Sequence, residues 1–254
     1  AFAKSTPQTP VGAAILARVN VAQGNAQAAH TVLAPLWRKA VMSADDEQAI
    51  ISEFGNLLTA DDHFHRMSAM LYAERPASAG RVAKLANSEP LFAAWSAAIR
   101  KDAKMAALLK AVPAEAQKRA GYQFAKALWL RKTGKLKDAA KVMAEAPQDA
   151  ANLIDPDAWW NERRILARSL WDAGQTKLAY KTAFMHAAQS PTSAAEAEFH
   201  AGWIALRALK DPKLAEAHFT RLLSISTTPQ SLSRGYYWLG RSIAASSRDP
   251  ADAY

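Results

Sequence analysis

Helix-stopping residues punctuate this chain at nearly even intervals. Gly134, Gly174, Asp211 and Arg248 stand 40, 37 and 37 residues apart. Between them, apolar side chains recur every three to four residues, the period of a helix with one buried face. Nowhere does an alternating run of β-branched residues persist, so the chain predicts almost no sheet. A chain written this way has few choices. It makes short helices, reverses at each stop, and buries each apolar stripe against the next helix.

The stretch 159–213 shows the pattern best. A helix carrying Trp159, Trp160, Ile165, Leu166, Leu170 and Trp171 stops at Asp172-Ala173-Gly174. Glycine suits the position past a helix end because it takes the left-handed conformation without a Cβ clash. A second helix from about Gln175 packs through Leu178, Ala179, Ala183 and Ala187. Ser190-Pro191 supplies a break and a fresh N-cap, and a third helix runs through Phe199, Trp203 and Leu206 to Lys210-Asp211-Pro212. The spacing is somewhat longer than the ~34-residue tetratricopeptide period.

Upstream, helices are expected over Val11–Ala22, Ala26–Met42 with Pro35 placed to kink or end it, from Ser43 through Leu58, from Thr59 through Tyr72, Ala77–Ala86, from Ser88 through Ile99, Ala103–Lys110, Pro113–Lys132 and Leu136–Ala146. Downstream, they are expected over Leu214–Leu223 and Leu232–Ser246. The expected fold class is all-α, an α-solenoid or superhelix of tetratricopeptide-like hairpins. Residues 1–10 read as an extended lead-in, 11–146 as less regular repeats and 157–254 as the regular ones. Asp249-Pro250 repeats the signal of Asp211-Pro212, which opens a return helix, so the last hairpin is expected to continue in a longer protein.

Composition narrows the chemistry. The chain has 254 residues and no cysteine, which excludes disulfides, thiolate metal sites and thiol catalysis. Its longest uncharged run, Val19–Trp37, holds Asn20, Gln23, Asn25, Gln27 and Pro35 and is too polar to span a bilayer. The formal charge of +9 points to an acidic partner or surface. The basic residues are spread over many helices instead of forming one stripe, so nucleic acid is not the expected partner.

No catalytic signature stands out. His63 and His65, at i and i+2, do not share a helix face, and with Asp61 and Asp62 they read as surface imidazoles beside capping carboxylates. Glu196 and Glu198 point to different sides of one helix and read as charge near its N-terminus. No cofactor or metal is expected. Aromatic and basic residues of the second half are the better candidates. Trp159, Trp160, Arg163 and Arg164 share one helix, Trp203 and Arg207 another, and Arg234, Tyr236, Tyr237, Trp238 and Arg241 a third. Rings stack on sugars and guanidinium groups bind carboxylates, so Trp159, Trp160, Arg163, Arg164, Arg207, Arg234, Tyr236 and Arg241 are candidate contacts for an anionic glycan. The competing reading makes the rings inter-helix core and the arginines solvated flanks.

Three segments carry a family resemblance: Trp159-Trp160-x-Glu162-Arg163-Arg164-x-Leu166-Ala167-Arg168, Ala195-Glu196-Ala197-Glu198-Phe199-x-Ala201-Gly202-Trp203-Ile204-Ala205-Leu206-Arg207, and Ser233-Arg234-Gly235-Tyr236-Tyr237-Trp238-Leu239-Gly240-Arg241. Together with Leu58-Thr59-Ala60-Asp61-Asp62-His63-Phe64 and the Leu71-Tyr72-Ala73 that follows, they resemble the helical superhelix domain of soluble lytic murein transglycosylases in their α-proteobacterial form. The resemblance implies a periplasmic protein acting on peptidoglycan. It also implies a linker domain and a lysozyme-like domain, whose single Glu, followed by Ser, is acid and base. None of this chain's ten glutamates, from Glu47 to Glu216, is followed by Ser. No catalytic residue is therefore carried over, and the expected role is a scaffold that binds murein for a separate catalytic domain. The alternative is a free-standing tetratricopeptide-like module with a protein partner in its groove.

Overall fold

A computed structural model describes residues 7–246 of the chain. Arg248 and the Asp249-Pro250 signal lie outside the described residues. The helices, in order, are α1 (Pro10–Ala22), α2 (Ala26–Lys39), α3 (Ala44–Phe54), α4 (Ala60–Tyr72), α5 (Pro76–Val82), α6 (Glu89–Arg100), α7 (Met105–Ala111), α8 (Ala114–Gln117), α9 (Ala120–Lys132), α10 (Leu136–Glu145), α11 (Ala150–Leu153), α12 (Pro156–Asp172), α13 (Thr176–Phe184), α14 (Pro191–Ile204), α15 (Pro212–Ile225) and α16 (Pro229–Ala245). The fold is all-α and solenoid-like, with no strand among the described residues.

Two compact units divide the chain, one of residues 1–100 and 106–116 and one of 101–105 and 117–254. In the first, α1 pairs with α2, α2 with α4, α4 with α5, and α5 with α6. Its interior gathers Leu33, Trp37, Met67, Leu71, Leu91 and Trp95, all essentially inaccessible to water. In the second, three hairpins follow one another, α9/α10, α12/α13 and α14/α15, and α16 packs on α15. Trp159, Trp160, Leu166, Leu170 and Phe219 are buried there.

The caps explain where each helix starts. Thr59 and Asp62 exchange bonds in a capping box at the head of α4. Ser43, Ser190, Asp211 and Thr228 each accept from a backbone N–H two or three residues into the helix they open. Gly134 and Gly174 close α9 and α12 with φ of +79° and +72°, where a Cβ would be strained. Lys210 takes the same left-handed turn at φ +58°, after α14 relaxes into a wider π-type turn over Ala205–Leu209.

Several expected boundaries move. Pro10 belongs to α1, because proline at the first helical position loses no hydrogen bond. Pro35 sits inside α2 without ending it, and α2 stops at Lys39, short of the expected Met42. The helix expected over Pro113–Lys132 is two, α8 and α9, interrupted at Lys118-Arg119. Pro212 and Pro229 open α15 and α16 earlier than the apolar periodicity alone indicates. Ala187 lies past the end of α13.

Close approach of α14 and α15 depends on Gly202. A Cβ there would lie 2.9 Å from Phe219 Cε1 and 3.0 Å from His218 Cβ. Gly202→Val is expected to destabilise the protein by about 1–3 kcal/mol through overpacking, read from chemical unfolding. A variant as stable as the parent would show that the two helices can separate freely.

Candidate functional site

The candidate residues fall into two groups. On α12, Trp159, Trp160 and Arg163 are buried, so their rings and guanidinium are not presented to a sugar. Trp159 packs edge-on to Phe124, with ring centres 5.2 Å apart. Trp160 donates its indole N–H to Glu196 Oε2 at 3.0 Å. Half-buried Arg164 donates to the other oxygen of the same carboxylate at 2.6 Å. These residues read as exposed candidates in a linear sequence because aromatic–arginine clusters serve sugars and helix interfaces equally well.

On α16 and the π-type turn the candidates stay in reach of solvent. Tyr236 is 64% exposed and Tyr237 59%. Arg207 and Arg241 are also exposed. Arg234 is only half-exposed, because its guanidinium lies over the Phe199 ring at 4.2 Å. Trp238 packs partly into the core beside Phe219 and Phe199. Trp203 and Trp171 cover one another, ring centres 4.3 Å apart.

Carboxylates taken as helix-end charges turn out to bridge helices. Glu196 and Glu198 lie beyond the first turn of α14. Glu196 forms a ladder with α12, whose Trp160, Arg164 and Arg168 recur at four-residue spacing. Arg168 donates to His200 Nε2 at 3.0 Å, while His200 Nδ1 donates to the Glu196 carbonyl at 2.9 Å. Glu198 faces the other way. It accepts from His218 Nδ1 at 2.6 Å, Arg221 Nε at 3.1 Å and His186 Nε2 at 3.4 Å, and the Tyr180 hydroxyl donates to His218 Nε2 at 2.9 Å. Burial would raise the Glu198 carboxyl, but its bonds to His186, His218 and Arg221 outweigh that and hold it well below the usual carboxylate range. Burial likewise works to raise Glu196, and its bonds to Trp160 and Arg164 win. Acids held ionised this firmly are poor proton donors at neutral pH.

The first unit repeats the arrangement. Asp62 is buried and accepts from His30, Arg38 and Thr59. Together these bonds overcome burial and keep it ionised far below the ordinary range. Glu47, also buried, bonds both Arg66 and Arg81. Arg66 also donates to the Trp37 and Ala40 carbonyls at 2.6 and 2.9 Å, closing the C-terminal end of α2. His63 is not a surface imidazole. It is buried edge-on against Trp37 at 5.4 Å, and burial lowers its proton affinity. No group of residues able to hold a metal ion occurs among the described residues, and no described helix is long and apolar enough to cross a membrane.

One surface feature was not singled out by the sequence. In the second unit a cleft of about 390 Å³ lies between α10 and α13, walled by Lys137, Lys141 and Lys181, with Arg163 of α12 beneath it. The lysines lie four residues apart on α10 and one helix away on α13, so no linear motif marks them.

Comparison with protein-family models, with curated proteins and with solved structures found no match for the chain.

Two outcomes follow from the charge networks. Glu47→Ala should cost about 3–5 kcal/mol, because it strands the buried Arg66 cation. Arg81→Ala, which removes the partly exposed partner, should cost about 1 kcal/mol or less. Equal losses in denaturant unfolding would mean that burial does not separate the two pairs. The second outcome concerns pH. Burial lowers the proton affinity of His200 against the opposing pull of the Glu196 carbonyl, and Nε2 must stay unprotonated to accept from Arg168. The stability this contributes is complete above the ordinary histidine value of about 6.5 and is lost as pH falls from there through the lower folded-state value. Melting temperature should therefore fall between neutral and mildly acidic pH, and fall less in His200→Gln. The same slope in both proteins would remove His200 from the account.

Proposed function

We propose that this chain is a non-catalytic helical scaffold that binds an anionic glycan, as the superhelical part of a periplasmic peptidoglycan lytic transglycosylase would. The observation that carries the reading is the exposed face of α16, where Tyr236, Tyr237 and Arg241 stand in solvent while the carboxylates of the helix interfaces are held ionised by cations. Tyrosine faces offer a stacking surface for sugar rings, and the guanidinium offers a fork for a carboxylate. Matched interior charges leave the formal excess of +9 to act outward, toward an anionic polymer. In this reading the murein contacts are Tyr236, Arg241 and Arg207, whereas Trp159, Trp160 and Arg163 hold the helices that carry them. Glycan cleavage belongs to a separate lysozyme-like domain, to which this chain supplies position.

A second reading keeps the fold and changes the partner. Val11, Ile15 and Val19 lie at i, i+4 and i+8 on α1 and are exposed together. An apolar stripe of this kind suits a protein partner, as in a tetratricopeptide-like interaction module.

The test is co-sedimentation with purified sacculi. Binding should weaken as salt rises, because exposed charges are screened. Tyr236→Ser with Arg241→Gln should weaken it about fivefold, the equivalent of about 1 kcal/mol. Val11→Ser with Ile15→Ser should leave it unchanged. Absence of sedimentation at low salt would overturn the murein reading and favour the protein partner.

A further inference from the structure

Arg163 stands apart from Arg66, the other buried arginine among the described residues. Arg66 and Arg163 do the same structural work: each donates to carbonyls near the end of a return helix, Arg66 to Trp37 and Ala40 at the end of α2, Arg163 to Met143 in the last turn of α10, at 2.6 Å. Beside Arg66, the Glu47 carboxylate completes the site. Arg163 is paired with no carboxylate, although Glu145 lines the same cleft. Its neighbour Glu162 is occupied by Arg131. One of its terminal nitrogens is buried with no hydrogen-bond partner. The side chain is only 2% exposed. Burial alone pulls its proton affinity down to about 10, with no anion opposing it, so it remains charged at neutral pH. A buried cation without a counter-charge is among the costlier arrangements a protein can hold.

What lies over this cation is the cleft between α10 and α13. Its walls bring Lys137, Lys141 and Lys181 around the space above Arg163, against the single carboxylate of Glu145. None of the three lysines is held in an ion pair among the described residues. The rest of the lining is Leu178, Met185, the alanines Ala140 and Ala144, and the buried Thr182. No aromatic ring borders it, so it is not built to stack a sugar. The larger cleft of the first unit, about 500 Å³ between α1 and α3, differs in kind: its cation, Arg18, is already bound by Glu53.

We propose that the α10/α13 cleft is a binding site for a small ligand with an oxyanion head and a short apolar body, the head held by Lys137, Lys141 and Lys181 above Arg163. A carboxylate and a phosphate ester share this chemistry. Either would supply the negative charge that Glu47 supplies to Arg66, while the apolar body would lie on Leu178 and Met185. This site is separate from the face of α16 and does not rest on the murein reading.

The test is calorimetric titration of the full chain with hexanoate, hexyl phosphate, inorganic phosphate and hexanol. Saturable one-to-one binding of hexanoate or hexyl phosphate is expected, and the stronger of the two identifies the head group. Inorganic phosphate should bind about tenfold more weakly than hexyl phosphate, since it lacks the apolar body. Hexanol should show no saturation. Lys141→Gln with Lys181→Gln, both at exposed positions, should weaken the better ligand about tenfold without changing the melting temperature. Arg163→Met should abolish binding and, by removing an uncompensated buried charge, should melt no lower than the parent. The proposal is overturned if neither six-carbon anion binds saturably, if hexanol binds as well as they do, or if the lysine variant binds with unchanged affinity. An Arg163→Met protein that melts well below the parent while the lysine variant keeps full affinity would mark Arg163 as a helix-end donor only.

Discussion

Glu47, Asp62, Glu162, Glu196 and Glu198 each reach from their own helix to accept hydrogen bonds from arginine, histidine or tryptophan on another. Helical hairpins rich in alanine bury modest side chains, and alanine–alanine contact alone is poorly directional. The charged bridges set which turn of one helix faces which turn of the next. Their cost is desolvation, which is large for an isolated ion in a protein interior. It is met here by giving each carboxylate several donors, so that Glu198 has three and Asp62 four side-chain or backbone partners. Losing one donor of such a set leaves the others, whereas losing the carboxylate strands every cation around it.

The same logic decides where function can reside. Groups that satisfy one another in the interior are withdrawn from chemistry. An acid held ionised by two histidines and an arginine does not donate protons near neutral pH. Aromatic rings wedged between helices do not stack on ligands. What remains available is what the network leaves out: the tyrosines and arginine on α16, the apolar stripe of α1, and the cations around the α10/α13 cleft. Arg163 marks the boundary between these classes, since it serves a helix end yet has no anion of its own.

Linear order carried the architecture well and the site poorly. Stops at Gly134 and Gly174, caps at Ser43, Thr59 and Ser190, and the apolar period between them are local signals, each read within a turn or two of helix. Boundaries slipped where proline admits two readings, as at Pro10, Pro35, Pro212 and Pro229, because its missing N–H is harmless in a first turn and disruptive further in. Glu196 was legible as a charge on a helix, but its partner Trp160 lies 36 residues earlier. His63 was legible as polar, but not as a ring beneath Trp37.

By itself, then, the sequence determined an all-α chain of short hairpins, the places where they turn, and the excess of positive charge. Those properties depend on backbone preference and on the period of apolar residues, both of which act over a few positions. Tertiary structure decided which charges were neutralised and which were left for a partner. Burial and pairing depend on side chains thirty or more residues apart meeting across a helix interface. Trp159, Trp160 and Arg163 look like Tyr236 and Arg241 when written in a line, and only packing separates the first set, inside, from the second, outside.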